Sequence, residues 1–288
     1  MGPMNSRTNI PTEEKPPARS AEQIRNHYLI EKELAAQLRS ATKADRRQLY
    51  TSLYDELFRR VPDHPQLSLR HEPASQRSLN NRLDLLRKHL HPGATYLEIG
   101  AGDCSLAIEV AKLVRKVYAV DVSNEITREV ELPDNFELII SDGSSIPIPP
   151  GSVDVAYSDQ VMEHLHPDDA MDQLKNVYEA LAPGGLYICI TPNRLSGPHD
   201  VSRYFEEVAT GFHLKEYSAT ELSKMFKAAG FRQSYVLVGA RGFHVNTATA
   251  VIQAVESLLA VAPKPLGRTL ARGLPLRSIL GVKLVGIK

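Results

Sequence analysis

Apolar positions change their period near residue 94, and that change divides the chain. Over 20–91 they recur at helical spacing. Ser20 with Gln23 has the pattern of a capping box, and Ile24, Tyr28, Leu34 and Leu38 follow on one face. Leu49, Tyr50, Leu53, Tyr54, Leu57 and Phe58 predict a second helix, over 43–58, closed by Pro62 and Pro65. A third stripe, Leu79, Leu83, Leu86 and Leu90, stops at His91-Pro92-Gly93. From Ala94 onward, short β-rich runs at 95–99, 117–120, 136–140, 153–158, 186–191 and 234–238 alternate with helical patterns. The helices are predicted at 106–114, 170–181 and 219–229. Pro167 leads the second, while Ser218 with Glu221 caps the third and Gly230 ends it.

Strands alternating with helices at this spacing predict an α/β fold. It is a doubly wound, Rossmann-like, mostly parallel sheet with an N-terminal helical extension. The expected divisions are a disordered tail at 1–19, rich in proline and polar residues, and a helical lid or cap at 20–91. A core follows at 92–245, then a helical, basic segment at 246–288 with a possible last strand at 283–287. In such sheets ligands sit at the carboxyl ends of the strands, so the residues just after each strand carry the functional signal.

Charge and cysteine usage narrow the class. Lys plus Arg and Asp plus Glu each number 34 in the 288 residues, and a neutral total argues against a nucleic-acid binder. Cys104 and Cys189 show no CxxC or metal-ligand spacing, which predicts a reducing, cytoplasmic location. No run approaches the ~20 apolar residues of a membrane span, and the start lacks the apolar core of a signal peptide. The tail beyond Glu256 is basic and apolar, but its prolines interrupt any long helix, so membrane contact is not expected.

The first strand runs into Glu98-Ile99-Gly100-Ala101-Gly102-Asp103-Cys104. Two glycines permit a tight turn and close approach of a ligand. A dinucleotide fingerprint would need glycine at Ser105, and the charge of Glu98 suits an ammonium or sulfonium better than a pyrophosphate. A nicotinamide oxidoreductase is thereby weakened. Asp121-Val122 closes the second strand about 20 residues on, where an acid binds ribose hydroxyls. Asp142-Gly143 follows the third strand, and Asp142 can accept from an exocyclic amine or simply close an Asp-Gly turn.

These motifs, with 154–165 and Leu181-Ala182-Pro183-Gly184-Gly185 before Thr191-Pro192-Asn193, resemble the class I S-adenosylmethionine-dependent methyltransferases over about 85–240. The likeness is greatest to the small-molecule branch that includes ubiquinone-pathway O-methyltransferases. It implies a seven-stranded sheet, with S-adenosylmethionine held by Glu98, Gly100, Ala101, Gly102, Asp121, Val122, Asp142, Gly143, Ser158 and Gln160. Cys104 stands where the family often has a third glycine. In the ubiquinone branch this region's acids and histidine are associated with a divalent metal, but Gln160 replaces the first carboxylate, so no tightly held metal is expected.

The implied activity is methyl transfer to a small molecule, most simply a sugar or secondary-metabolite hydroxyl. An alcohol is a weak nucleophile and calls for a base. His164 and His199 are the candidates; Asp200 is expected to orient His199, with His166 and His213 behind them. Arg194 and Arg203 could hold an anionic acceptor, and Tyr50, Tyr54 and Phe58 could wall its pocket. An N-methyltransferase acting on an amine or protein side chain remains open, as does a non-catalytic cofactor-binding subunit. A homodimer is also open.

Overall fold

The computed structural model describes residues 19–68, 73–124, 127, 130–240, 243–273 and 276–288. The expected disordered tail lies outside these, apart from Arg19. Helix α1 (Ala21–Ser40) opens as its sequence predicts: Ser20 Oγ accepts the Gln23 N–H at 3.1 Å, and Gln23 Oε1 accepts the Ser20 N–H at 2.8 Å. Helix α2 (Lys43–Arg60) starts on Thr42, whose hydroxyl accepts from the Asp45 N–H. Short α3 (Pro65–Ser68) and then α4 (Pro73–Arg87) lead to the sheet.

The remaining elements are β1 (Thr95–Ile99), α5 (Ser105–Ala111), β2 (Lys116–Asp121), β3 (Phe136–Ile140), β4 (Val153–Asp159), α6 (Pro167–Ala180) and β5 (Leu181–Thr191). They are followed by α7 (Ala219–Ala229), β6 (Gln233–Ala240), β7 (Phe243–Ala248), α8 (Thr249–Val261), α9 (Lys264–Arg272), α10 (Leu276–Leu280) and β8 (Val282–Ile287). The strand order is β3-β2-β1-β4-β5-β8-β6-β7. Strands β1 to β5 pair in parallel; β8 is antiparallel to both β5 and β6, and β7 is antiparallel to β6.

Two expectations change. The sheet has eight strands, the addition being β7, an edge strand formed by a hairpin with β6. Most of β7 is exposed, so it carries no buried apolar alternation by which to announce itself. The last strand is also not an appendage to a core ending at 245. It lies inside the sheet, with Val282, Leu284 and Val285 buried between β5 and β6.

The alternation of strand side chains divides the core into two layers. Leu97 and Ile99 of β1 pack with Leu34, Leu38, Leu57 and Leu174 on one face, whereas Tyr96 packs with Leu83, Leu86, Leu106 and Val110 on the other. Each fully buried leucine contributes about 1.5–3 kcal/mol. The N-terminal helices therefore share the main core. Arg46 strengthens the join: Nε lies 2.5 Å and Nη2 2.9 Å from the Asp169 carboxylate, and Tyr50 donates to the same carboxylate at 2.8 Å. These buried contacts fasten α2 to α6.

Candidate active site

The chain lays β1, β2 and β3 outward in one direction, then returns to place β4 on the other side of β1. At this switch point the strands' carboxyl ends open onto a cavity of about 390 Å³, within the ~300–1,000 Å³ usual for small-molecule sites. Gly100 and Gly102 adopt φ of +68° and +55°. A Cβ on Gly100 would meet Val161 Cγ2 at 2.4 Å, so the turn has no room for a side chain. Cys104 has φ +59°, which explains why glycine is common in this place. Its thiol is buried, and burial pushes its pKa up to about 12.

Asp121 stitches β2 to this loop. Its Oδ2 accepts the Gly102 N–H at 2.7 Å, and Oδ1 accepts those of Val122 and Ser123 at 2.7 and 3.2 Å. Burial nevertheless holds its pKa above the ordinary value. Glu98 is buried beneath the loop, with Tyr96 donating to it at 3.3 Å. Burial raises its pKa to about 8, against the attraction of Arg82. A carboxyl in that condition favours a ligand that brings positive charge.

A second cavity of about 550 Å³ adjoins the first, and Tyr54, Gln66 and His164 line both. Its wall includes His27, Glu31, His64, Gln160, His199, Arg203, Tyr204 and His213. His164 Nδ1 lies 3.1 Å from the Phe212 carbonyl. A carbonyl only accepts, so the neutral ring carries its proton on Nδ1 and leaves the Nε2 lone pair free. Burial lowers the His164 pKa to about 3, with His213 adding to the effect. His213 Nδ1 lies 2.8 Å from Glu216 Oε1. Burial alone would depress His213, but its hydrogen bond to Glu216 and the nearby Glu163 hold its pKa above the ordinary value.

A family model described as a methyltransferase domain matches residues 70–234, more than half of the chain. The chain belongs to the class I S-adenosylmethionine-dependent methyltransferases. A curated relative from Mycolicibacterium smegmatis, named a probable S-adenosylmethionine-dependent methyltransferase, is 29% identical over 144 residues, covering 50% of this chain and 54% of the relative. One of the same description from Mycobacterium tuberculosis is 32% identical over 139 residues, covering 47% of each. The chain thus spans about half the length of the curated relatives it matches. A solved methyltransferase from Aquifex aeolicus is 19% identical with a TM-score of 0.46, covering 60% of this chain and 89% of that one.

The first cavity suits the methyltransferase cofactor, S-adenosylmethionine, on its own geometry. It presents a glycine turn without side chains, a buried carboxyl that favours a cation, and a strand-end acid. Glu98, Gly100, Ala101, Gly102, Asp121, Val122 and Gly143 all line it. Three expected cofactor residues lie elsewhere. Asp142 is outside the lining because its carboxylate is occupied by the N–H and hydroxyl groups of Ser144 and Ser145, in an Asp-turn. Burial pushes its pKa up, but those bonds win and hold it low. Ser158 is buried against Tyr187, its hydroxyl 2.7 Å from the phenol oxygen. Gln160 takes φ +60° and lines the second cavity instead.

Sequence reasoning passed over Asp159, which lines the cofactor cavity one residue beyond Ser158. The signal was present, since successive strand residues face opposite ways and β4 ends on this acid. Tyr50, Tyr54 and Phe58 line the cofactor cavity, and only Tyr54 reaches the second as well. His199 does line the second cavity, but Asp200 does not orient it. Its Nε2 lies 3.1 Å from both Asn193 O and Ser196 Oγ, while Asp200 caps the turn at Ser202 and accepts from Gly211. Arg194 pairs with Glu221, whereas Arg203 remains on the cavity wall. His166 caps α6.

Among the described residues, two clusters bring three metal-ligating atoms within 4.8 Å: His27 with Glu31 and His64, and Glu163 with His164 and His213. In the first, the Arg19 guanidinium donates to His27 Nδ1 at 3.0 Å, leaving the ring proton on Nε2, beside Glu31 Oε2 at 2.7 Å. That protonated nitrogen cannot ligate. In the second, the Glu163 Oε1 atom is buried without a partner, and burial raises the group's pKa to about 7. The two-carboxylate arrangement implied by the resemblance is missing, because Gln160, which lines the second cavity with His164 and His213, offers an amide where that arrangement has a carboxylate. Glu216 also favours the protonated form of His213. The residues do not fit a hard divalent cation.

Proposed function

We propose that this chain transfers a methyl group to a hydroxyl of a small molecule held in the second cavity. The observation that carries this reading is that the two cavities meet at His164, whose Nε2 lone pair is free. When bound, S-adenosylmethionine supplies an electrophilic methyl group on a sulfonium. Gly100, Gly102 and Asp121 hold the loop that receives the cofactor. Glu98, its pKa raised to about 8 by burial, becomes a counter-charge by releasing its proton when the cation binds. His164 accepts the hydroxyl proton at Nε2 as the new C–O bond forms and makes that oxygen strongly acidic, a step still open to a base of pKa about 3. Its Nδ1–H keeps the ring directed at Phe212 O. Much of the remaining rate enhancement comes from holding donor and acceptor together where the two cavities meet. His199 and Arg203 position the acceptor at the opposite wall. With both cysteines free and buried, the chain is suited to a reducing cytoplasm.

The test is a screen of hydroxylated and amine compounds with labelled S-adenosylmethionine, using the wild-type chain and His164→Ala. Label entering a hydroxylated acceptor, and lost in the variant, supports the reading. Efficient labelling of an amine that survives His164→Ala would overturn it in favour of N-methylation. Tight S-adenosylhomocysteine binding with no acceptor modified would instead favour a non-catalytic subunit.

A further inference from the structure

Helix α8 is turned inside out relative to an ordinary surface helix. Its buried residues are Ile252 and the acid Glu256, whereas Val251, Leu258 and Val261 stand 54%, 71% and 83% exposed. Glu256 has a structural reason to face inward: its carboxylate accepts from the N–H groups of Ala219 and Thr220 at the start of α7 and from Asn193 Nδ2. No such reason explains the exposed valines and leucine. The pattern continues on α9, where Gly267 and Ala271 are buried and Leu266 and Leu270 face solvent.

The same stretch has a one-sided charge. After Glu256 the chain contains six Lys or Arg and no Asp or Glu. Arg268 donates to Glu207 O, and Arg272 to the carbonyls of Ser196 and Gly197, so neither charge is neutralised by these partners. Apolar side chains facing outward beside basic ones make the pattern of a helix lying in a lipid interface. A second copy is the less suitable occupant. A two-fold interface would set this basic, acid-free segment against itself.

We propose that α8 and α9 form a docking surface for an anionic lipid membrane. The valines and leucines enter the headgroup boundary, and Arg272 and Arg277 meet the lipid phosphates. This revises the expectation of no membrane contact, because the prolines break the segment into short helices without hiding their apolar faces. No helix among the described residues is long and apolar enough to cross a membrane, so the contact is peripheral. Arg268 and Arg272 anchor α9 to 196–207, the stretch carrying His199, Arg203 and Tyr204 of the second cavity. Docking would therefore bear on the acceptor side of the molecule.

The experiment is co-sedimentation of the full chain with vesicles of phosphatidylcholine alone and of equal parts phosphatidylcholine and phosphatidylglycerol. Partitioning should be ~10-fold stronger on the anionic vesicles, the order expected of one or two basic residues near such a surface, and should weaken as salt rises. Leu258→Glu with Leu266→Glu should abolish it while S-adenosylhomocysteine affinity stays unchanged, showing an intact fold. Failure of the wild-type chain to pellet with anionic vesicles would overturn the proposal. So would equal pelleting with both vesicle types, or a concentration-dependent dimer that excludes lipid and is split by the same pair of substitutions.

Discussion

The two cavities are built in different ways. The cofactor cavity takes its polar groups largely from the carboxyl ends of adjacent strands and the turns that follow them: Gly100 to Asp103 after β1, Asp121 at the end of β2, Ser141 and Gly143 after β3, Asp159 at the end of β4. The second is gathered from α1, from the turns near His64 and His164, and from 199–213. Parallel pairing by itself aligns the first set, because neighbouring strands end at the same edge of the sheet. The second set depends on helices and irregular segments holding one another in place. His164 stands where these two constructions meet.

Substituting His164 should separate the cavities most sharply. His164→Ala should lower turnover by about 10²–10⁴-fold, the range for loss of a general base, with S-adenosylhomocysteine affinity unchanged by calorimetry. An equal fall in cofactor affinity would mean that His164 serves the first cavity and that the division is wrong.

The next effect is on stability and belongs to the helices that support both walls. Arg46→Ala leaves Asp169 buried without its cationic partner, with only the Tyr50 hydroxyl still donating to it, and should destabilise the fold by about 3–5 kcal/mol in denaturant titration. The pH dependence gives a second check. Burial would raise the Asp169 pKa, but the bonds from Arg46 and Tyr50 prevail and hold it below the ordinary value. Its contribution is then fully present above the unfolded aspartate value of ~3.9 and is lost as pH falls through the lower folded value. The variant should lose this component of acid unfolding. An unchanged acid transition would remove the Arg46–Asp169 pair as its source.

Asp121→Ala tests the cofactor cavity alone. The carboxylate both joins the glycine turn to β2 and faces the ligand space. Charge-assisted hydrogen bonds are worth roughly 1.5–3 kcal/mol, so S-adenosylhomocysteine should bind about 10–100-fold more weakly, with the fold retained. Unchanged affinity would remove Asp121 from cofactor recognition.

The same contrast explains what could be read in advance. Period and caps located β1, β3 and α7 to the residue, and the acid-glycine turn marked the first cavity before any coordinates. Ser158 and Asp142 do not line the first cavity, and the sequence did not foretell it, because residue type and position near a strand's end do not say which neighbour will take up a side chain. Ser158 meets Tyr187 on the neighbouring strand β5, and Asp142 is taken by the serines of its own turn. For the second cavity, no local spacing relates Glu31 to the Phe212 N–H, 2.8 Å away but 181 residues apart. Nor does sequence spacing bring His164 beside His213, whose rings approach to 4.8 Å between centroids.

The smallest expected effect decides how His164 works. Chelation with EDTA should leave both turnover and S-adenosylhomocysteine affinity unchanged. The reason lies in the side chains around it. Glu163 keeps one oxygen on the Thr191 hydroxyl at 2.9 Å, and burial raises its pKa to about 7, so near neutral pH it is only partly ionised. His213 is held toward its protonated form by Glu216, and Gln160 supplies no anionic oxygen. Such a cluster can balance its own charge, leaving His164 Nε2 free for a proton. If EDTA abolishes turnover and zinc or manganese restores it, that lone pair is engaged by a metal. The loss in His164→Ala would then report a missing ligand, and the acceptor's proton would have to pass to another side chain, with His199 on the far wall the candidate.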